Sequence, residues 1–381
     1  MTSAVHGHAD ARFDKVTDAL ADELSTGAEI GAAIAVDIDG ELVVDIWGGH
    51  ADAAKTVPWA EDTIVNVWSC TKTVTSLAAL MLADRGLLDL DEPVATYWPE
   101  FAANGKQDVR VRHLLSHTSG VAGWQEPMTT DDLFDWEKAT SLLAAQAPWW
   151  EPGTASGYQA LNFGFLIGEL VRRVAGKSLK DFVGDDIARP LDADFQFGAR
   201  PDDYGRIAEL TPPPPFEIPF DRLPEDNPMR KTLTNPPSEA GVAHTTAWRD
   251  ADLGAVNGHG NARSLARMLS PISLGGSANG VQLLSAQTIE RIFDVQSHGP
   301  DLVLAAPLKM GIGYGLSTPE VTPFLPPEER VCFWGGWGGS MVLMNPDRHT
   351  TVTYVMNKMR PGTLGNERTA RYARLIYEAL P

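Results

Sequence analysis

Val67-Trp68-Ser69-Cys70-Thr71-Lys72-Thr73-Val74-Thr75-Ser76-Leu77-Ala78-Ala79-Leu80-Met81-Leu82-Ala83-Asp84-Arg85-Gly86 places a serine and a lysine three residues apart at the head of an apolar segment. Val74, Leu77, Ala78, Met81 and Leu82 recur at helical spacing and Gly86 supplies a stop, so the stretch predicts a buried helix. Side chains at i and i+3 share a helix face, which lets the Lys72 amine reach the Ser69 hydroxyl. A lysine held there is cut off from water, and desolvation disfavours its ammonium form. Lys72 could then accept the serine proton and activate Ser69 for attack on a carbonyl. The same S-x-x-K spacing also fits a solvated lysine on a helix face, so the rest of the chain has to decide.

The chain of 381 residues can bury a large core, as one domain or two lobes. Its net charge of -19 argues against nucleic acid and anionic membrane as partners, because both require a positive face. Cys70 and Cys332 have no spacing suited to a disulfide framework or a zinc site, and Cys70 reads as a small packing residue. Met1 to Asp10 lacks a basic region followed by an apolar one, and no later run is long and apolar enough to span a bilayer. These features make a cytoplasmic enzyme the expectation.

Ahead of the Ser69 segment, Phe13, Val16, Leu20 and Leu24 form one helical stripe ended by Gly27. The period then changes to two. Ile34, Val36 and Ile38 alternate, Asp39-Gly40 is a hairpin turn, and Glu41 to Trp47 continues as the return strand. From Val109 to Ser270 the chain reads as mostly helical with long loops, including a short helix at Arg112 to His117 and amphipathic helices at Asp131 to Ala147 and Leu161 to Ala175. His113 and His117 lack the third ligand of an H-E-x-x-H arrangement and read as structural, so no metal is assigned. Thr211 to Pro228, with four consecutive prolines, is a loop on the surface or over a cleft. The last third returns to short strands at 313–316, 331–334, 338–343 and 350–356, and 366–380 is a final helix.

Strands at both ends and helices between them predict an α+β fold: one antiparallel sheet built from the N- and C-terminal segments, flanked by helices, with a mostly helical lobe inserted. The expected division is a single domain, 1–381, with an α/β lobe at about 1–68 and 290–381 and a helical lobe at about 69–289. A site would lie in the cleft at their junction.

Five separated elements stand in order along the chain: Ser69-Cys70-Thr71-Lys72, His113-Leu114-Leu115-Ser116-His117-Thr118-Ser119-Gly120, Pro152-Gly153 ahead of Tyr158, the helix from Asn162 to Leu170, and Phe333-Trp334-Gly335-Gly336-Trp337-Gly338-Gly339-Ser340. Together, over about Val36 to Met356, they resemble the serine β-lactamase and penicillin-binding-protein superfamily, and within it the family VIII carboxylesterases related to class C β-lactamases. The resemblance implies the β-lactamase-like fold, an acyl-enzyme formed on Ser69, and Lys72 and Tyr158 as general base and acid, with the order of those two roles open. It further implies an oxyanion hole from the backbone amides of Ser69 and Trp337, and a substrate wall formed by Trp334, Gly335, Gly336 and Trp337. No metal or cofactor is required.

Two departures point to the reaction. Where lactamases usually place an asparagine two residues after the tyrosine, and a lysine in the third motif, this chain has Ala160 and Trp334. A site without that amide and that cation suits neutral esters better than anionic penicillins. The expected activity is therefore hydrolysis of small, neutral carboxylic esters. Weak β-lactamase, amide hydrolase or acyltransferase activity on the same site stays open, as does a silent binding protein. An α/β-hydrolase would need G-x-S-x-G, and Gly275-Gly276-Ser277-Ala278-Asn279 is broken by Asn279.

Overall fold

The computed structural model describes residues 5–215 and 218–380. The sequence readings that touch Met1 to Ala4, and Phe216 and Glu217 within the proline-rich loop, lie outside the described residues. The nine strands of the large sheet, numbered in chain order, are β1 (Val5–Ala9), β2 (Gly31–Ile38), β3 (Glu41–Gly49), β4 (Ser297–Pro300), β5 (Pro307–Met310), β6 (Gly315–Leu316), β7 (Cys332–Gly335), β8 (Met341–Asn345) and β9 (Thr350–Met356). They lie in the order β1-β3-β2-β9-β8-β7-β6-β5-β4, antiparallel throughout.

The central pairing joins the two ends of the chain. β2 and β9 run side by side from Thr350 opposite Ile38 to Met356 opposite Ala32. The turn between β2 and β3 is made by Asp39 at φ 54° and Gly40 at φ 88°, the double left-handed conformation that matches strand twist and that Asp-Gly adopts readily. The alternation of Ile34, Val36 and Ile38 marks one buried face, but β2 is buried on both. On the other face Ala33 and Ala35 are small, and this is the face against which the helix Ala262–Ser273 lies. Thr353, opposite Ala35, donates to the Ala262 carbonyl at 2.8 Å, and the Ser273 hydroxyl donates to the Thr350 carbonyl at 2.9 Å. The isoleucine face meets the terminal helix Glu367–Ala379, where Tyr354 packs on Tyr372 with ring centroids 5.1 Å apart.

The Ser69 segment forms a 3-10 turn, Trp68–Cys70, followed by the helix Thr71–Asp84. Every residue from Thr71 to Leu82 is buried, so this is an interior helix and not an amphipathic one. Several expectations need correction. The stretch Asp131 to Ala147 is not one helix: a 3-10 turn at Asp131–Phe134 is followed by the helix Trp136–Ala145, because Asp135 leaves the helical conformation to cap it, accepting from Lys138 N–H at 3.0 Å. Gly338 and Gly339 belong to a turn, and the strand read at Gly338 begins at Met341. The middle of the chain also carries a small sheet of Val65–Asn66, Gly258–Gly260 and Phe195–Phe197, too short to show a period.

A buried ion pair fastens the terminal helix beneath the sheet. Arg368 Nη1 lies 2.9 Å from Glu29 Oε2 with both side chains fully buried, and Arg368 also donates to the carbonyls of Ala28 and Lys358. Tyr354 donates to Glu29 Oε1. Arg368→Ala leaves the carboxyl without its cation and should lower unfolding stability by about 3–5 kcal/mol in urea titrations.

Candidate active site

Trp68 enters the turn before Ser69 at φ 48°, a left-handed conformation that costs a non-glycine residue about 1–3 kcal/mol and persists where packing enforces it. The enforcing contacts are aromatic: the Trp68 ring meets Trp248 at 5.5 Å and Trp337 edge-on at 4.9 Å. Ser69 is thereby set at the head of the interior helix.

Lys72, one turn on, is 2 % exposed. Its Nζ lies 3.1 Å from Ser69 Oγ and donates to the carbonyls of Ala160 at 2.8 Å and Ala255 at 3.0 Å. Burial holds its pKa well below the usual lysine value. A neutral amine has two N–H donors and one lone pair. With two donors on the carbonyls, the remaining position of the nitrogen faces Ser69 Oγ, as an N–H donor when the amine is protonated and as a lone pair when it is not. Cys70 is buried too, and burial pushes its thiol up, so it stays neutral beside the serine and packs as a small side chain.

Tyr158 comes from the loop between the helices Trp136–Ala145 and Phe163–Ala175. Its hydroxyl donates to Ser69 Oγ at 2.6 Å, and Lys72 Nζ stands 4.7 Å from its ring centroid. Burial pushes the phenol above the usual tyrosine value, against the opposing pull of the Ser69 hydroxyl and the Trp334 indole. The indole N–H of Trp334 makes no hydrogen bond among the described residues.

Trp334 to Trp337 pass along the same helix head. Trp334 is 3 % exposed and lies against the Tyr158 ring at 5.3 Å and the His117 ring at 5.6 Å, so it backs the tyrosine and offers little surface of its own. A Cβ added at Gly336 would stand 2.4 Å from the Val67 carbonyl oxygen, so only glycine lets this turn close on the backbone that carries Ser69. The sequence-predicted residues Ser69, Lys72, Tyr158 and Trp334 to Trp337 therefore converge on one place.

Other contributors carried no sequence signal. The acceptors on Lys72 are backbone carbonyls, for which Ala160 and Ala255 are silent letters. Asp301 accepts the Tyr158 N–H at 3.1 Å from a loop 143 residues away in sequence. His113 and His117 each accept a backbone N–H on Nδ1, from Arg110 and Gln159. Among the described residues no group of three or more His, Cys, Asp or Glu could hold a metal ion.

Known proteins place the chain in a family. A family model described as Beta-lactamase matches residues 14–376. The chain belongs to the beta-lactamase family. Within this family it is similar to the Esterase/beta-lactamase LipL of Mycobacterium tuberculosis, with 34 % identity over 93 % of this chain and 83 % of that protein. Among solved structures, a family VIII carboxylesterase superposes with a TM-score of 0.92 at 36 % identity, covering 99 % of this chain and 100 % of the other. A penicillin-binding protein homolog from Caulobacter crescentus superposes with a TM-score of 0.90 at 32 % identity, again covering 99 % and 100 %. Like these beta-lactamase relatives, the chain builds a large antiparallel sheet flanked by helices. No helix among the described residues is long and apolar enough to cross a membrane.

The fit of Gly336 against Val67 is testable. Gly336→Ala should leave a folded protein by circular dichroism while displacing the turn from Ser69, with kcat for ester substrates falling roughly 100-fold.

Proposed function

We propose that the chain is a serine carboxylesterase that cleaves small, neutral esters through an acyl-enzyme on Ser69. The observation that carries this is the three-way contact at Ser69 Oγ, with the Lys72 amine at 3.1 Å and the Tyr158 phenol at 2.6 Å. Lys72, with its pKa held down, accepts the serine proton as Oγ attacks the ester carbonyl. Tyr158, with its phenol held protonated, gives its proton to the departing alkoxide, and the proton that Lys72 took from Ser69 then restores the phenol. Water then repeats the sequence against the acyl-enzyme. The amides of Ser69 and Trp337 would hold the developing oxyanion, a role supported by the close packing of the Trp337 turn on the Ser69 turn.

The substrate class is supported by what lines the site. Trp334 stands where lactamases place a cation, and Lys72 finds its acceptor in the Ala160 carbonyl instead of a side-chain amide. Nearby, Trp68, Leu133, Leu161, Val242 and Trp248 line a narrow pocket that in this structure holds no more than about one water molecule. The names of LipL and of the superposed carboxylesterase agree with this choice. LipL's double name also supports a second, weaker use of the same acyl-enzyme, on β-lactams, amides or acyl acceptors. We further propose that the cleft divides a sheet lobe, about 1–68 and 290–381 with the helix Ala262–Ser273 packed on its sheet, from a helical lobe in the rest of about 69–289.

Parallel rates on p-nitrophenyl acetate, p-nitrophenyl butyrate and nitrocefin test the reading. Both esters should turn over, nitrocefin should be poor, and Ser69→Ala should lower ester turnover by at least about 1,000-fold. Preferred turnover of nitrocefin would overturn the substrate class, and an active Ser69→Ala the nucleophile. The Lys72 role predicts pH dependence as well. Ester kcat/KM should fall as the medium is acidified through the lowered amine pKa, and Lys72→Arg, which cannot deprotonate, should lose about 100-fold or more at every pH.

A further inference from the structure

Tyr158 has no helix or strand to hold it, yet three consecutive backbone N–H groups around it are all taken. Gly157 donates to the His117 carbonyl at 2.9 Å, Tyr158 to Asp301 Oδ1 at 3.1 Å, and Gln159 to His117 Nδ1 at 3.2 Å. The His117 ring also packs edge-on against the phenol ring at 5.3 Å. Two residues distant in sequence thus grip the tyrosine from both sides.

Asp301 is the more telling of the two. It is 2 % exposed and lies in the loop between β4 and β5. Its Oδ1 accepts three backbone N–H groups, from Tyr158 and, at 2.9 Å each, from Val303 and Leu304. The loop is closed on itself by Asp301 N–H on the Ala306 carbonyl at 2.8 Å, and joined to the tyrosine segment by Leu302 N–H on the Ser156 carbonyl at 2.9 Å. Oδ2, also buried, has no hydrogen-bond partner among the described residues. All of the side chain's bonding therefore runs through one oxygen, and the carboxylate acts as a single fixed acceptor.

We propose that Asp301 is a positioning residue for acyl transfer: its Oδ1 fixes where the Tyr158 backbone sits and thereby sets the 2.6 Å contact between the phenol and Ser69. The proposal rests on the assignment of Tyr158 to proton transfer. A rival role for Asp301 would be its charge, felt by the titratable groups that face the phenol, which are Lys72 and Cys70 from the Ser69 helix and His117 from the opposite side.

Placement and charge separate in two variants. Asp301→Asn keeps an acceptor oxygen in place and removes the charge; Asp301→Glu keeps the charge and moves the oxygen by one methylene. Placement predicts that Asp301→Asn retains kcat within about threefold, while Asp301→Glu loses roughly 10- to 100-fold in kcat with KM within about threefold, since a small misplacement of a proton-transfer group acts on the chemical step. A slow Asp301→Asn overturns the proposal, as does an Asp301→Glu with kcat within threefold of wild type. If Asp301→Glu fails to fold, as judged by thermal unfolding, kcat of Asp301→Asn alone decides in the same sense. Tyr158→Phe is the control: full activity there overturns the role of Tyr158 itself, whereas an inactive Tyr158→Phe beside an unimpaired Asp301→Glu overturns only the positioning.

Discussion

A lysine amine shut away from water between two backbone carbonyls is the contact on which the rest of this molecule depends. Ala160 comes from the tyrosine loop, Ala255 from the segment before the small sheet, and Lys72 from the interior helix, so three stretches of chain meet on one nitrogen. Burying the amine requires that its helix be surrounded on every side, which explains why Thr71 to Leu82 has no solvent face. The large sheet in turn needs both ends of the chain, since β2 and β9 lie together at its middle. Fold and site are thus one problem. An exposed lysine would keep the ordinary amine pKa, and only burial of this depth lowers it.

The same dry setting treats its neighbours in opposite ways. Burial moves every group towards its neutral form: the amine pKa falls, and the phenol and the Cys70 thiol rise. The division of labour proposed for Lys72 and Tyr158 rests on these directions, since burial favours the deprotonated amine and the protonated phenol. The environment also underlies the proposed preference for neutral esters. Tryptophans stand around the serine, and Trp334 backs the tyrosine where a lactamase would meet a carboxylate with a cation.

Much of this was legible in the residues, and what was not has physical reasons. Ser69 and Lys72 declare themselves because their spacing fits a helix and the surrounding residues are apolar. Tyr158 is recognisable only through its company, the Pro152-Gly153 turn before it and the order of motifs around it, since a lone tyrosine in a loop has no period. The β2–β3 hairpin was visible because Asp39-Gly40 names its own turn. β1, β4 and β5 were not: β1 and β4 are short and polar with no fully buried residue, and in β5 only Leu308 and Met310 alternate, too few to set a period. The acceptors on Lys72 are invisible in principle: a backbone carbonyl is the same for every residue type. Asp301 escaped for a related reason, since nothing local distinguishes a buried aspartate that accepts three amides from one in an exposed turn.

The central claim is that carbonyl chemistry passes through a covalent bond to Ser69. Rapid quenching during turnover of p-nitrophenyl butyrate, followed by mass spectrometry of the peptide that contains residues 67–85, tests this directly. The account predicts a transient mass increase equal to one butyryl group on Ser69 in the wild type. Ester turnover at full rate with no acyl group on that peptide at any time point would contradict it.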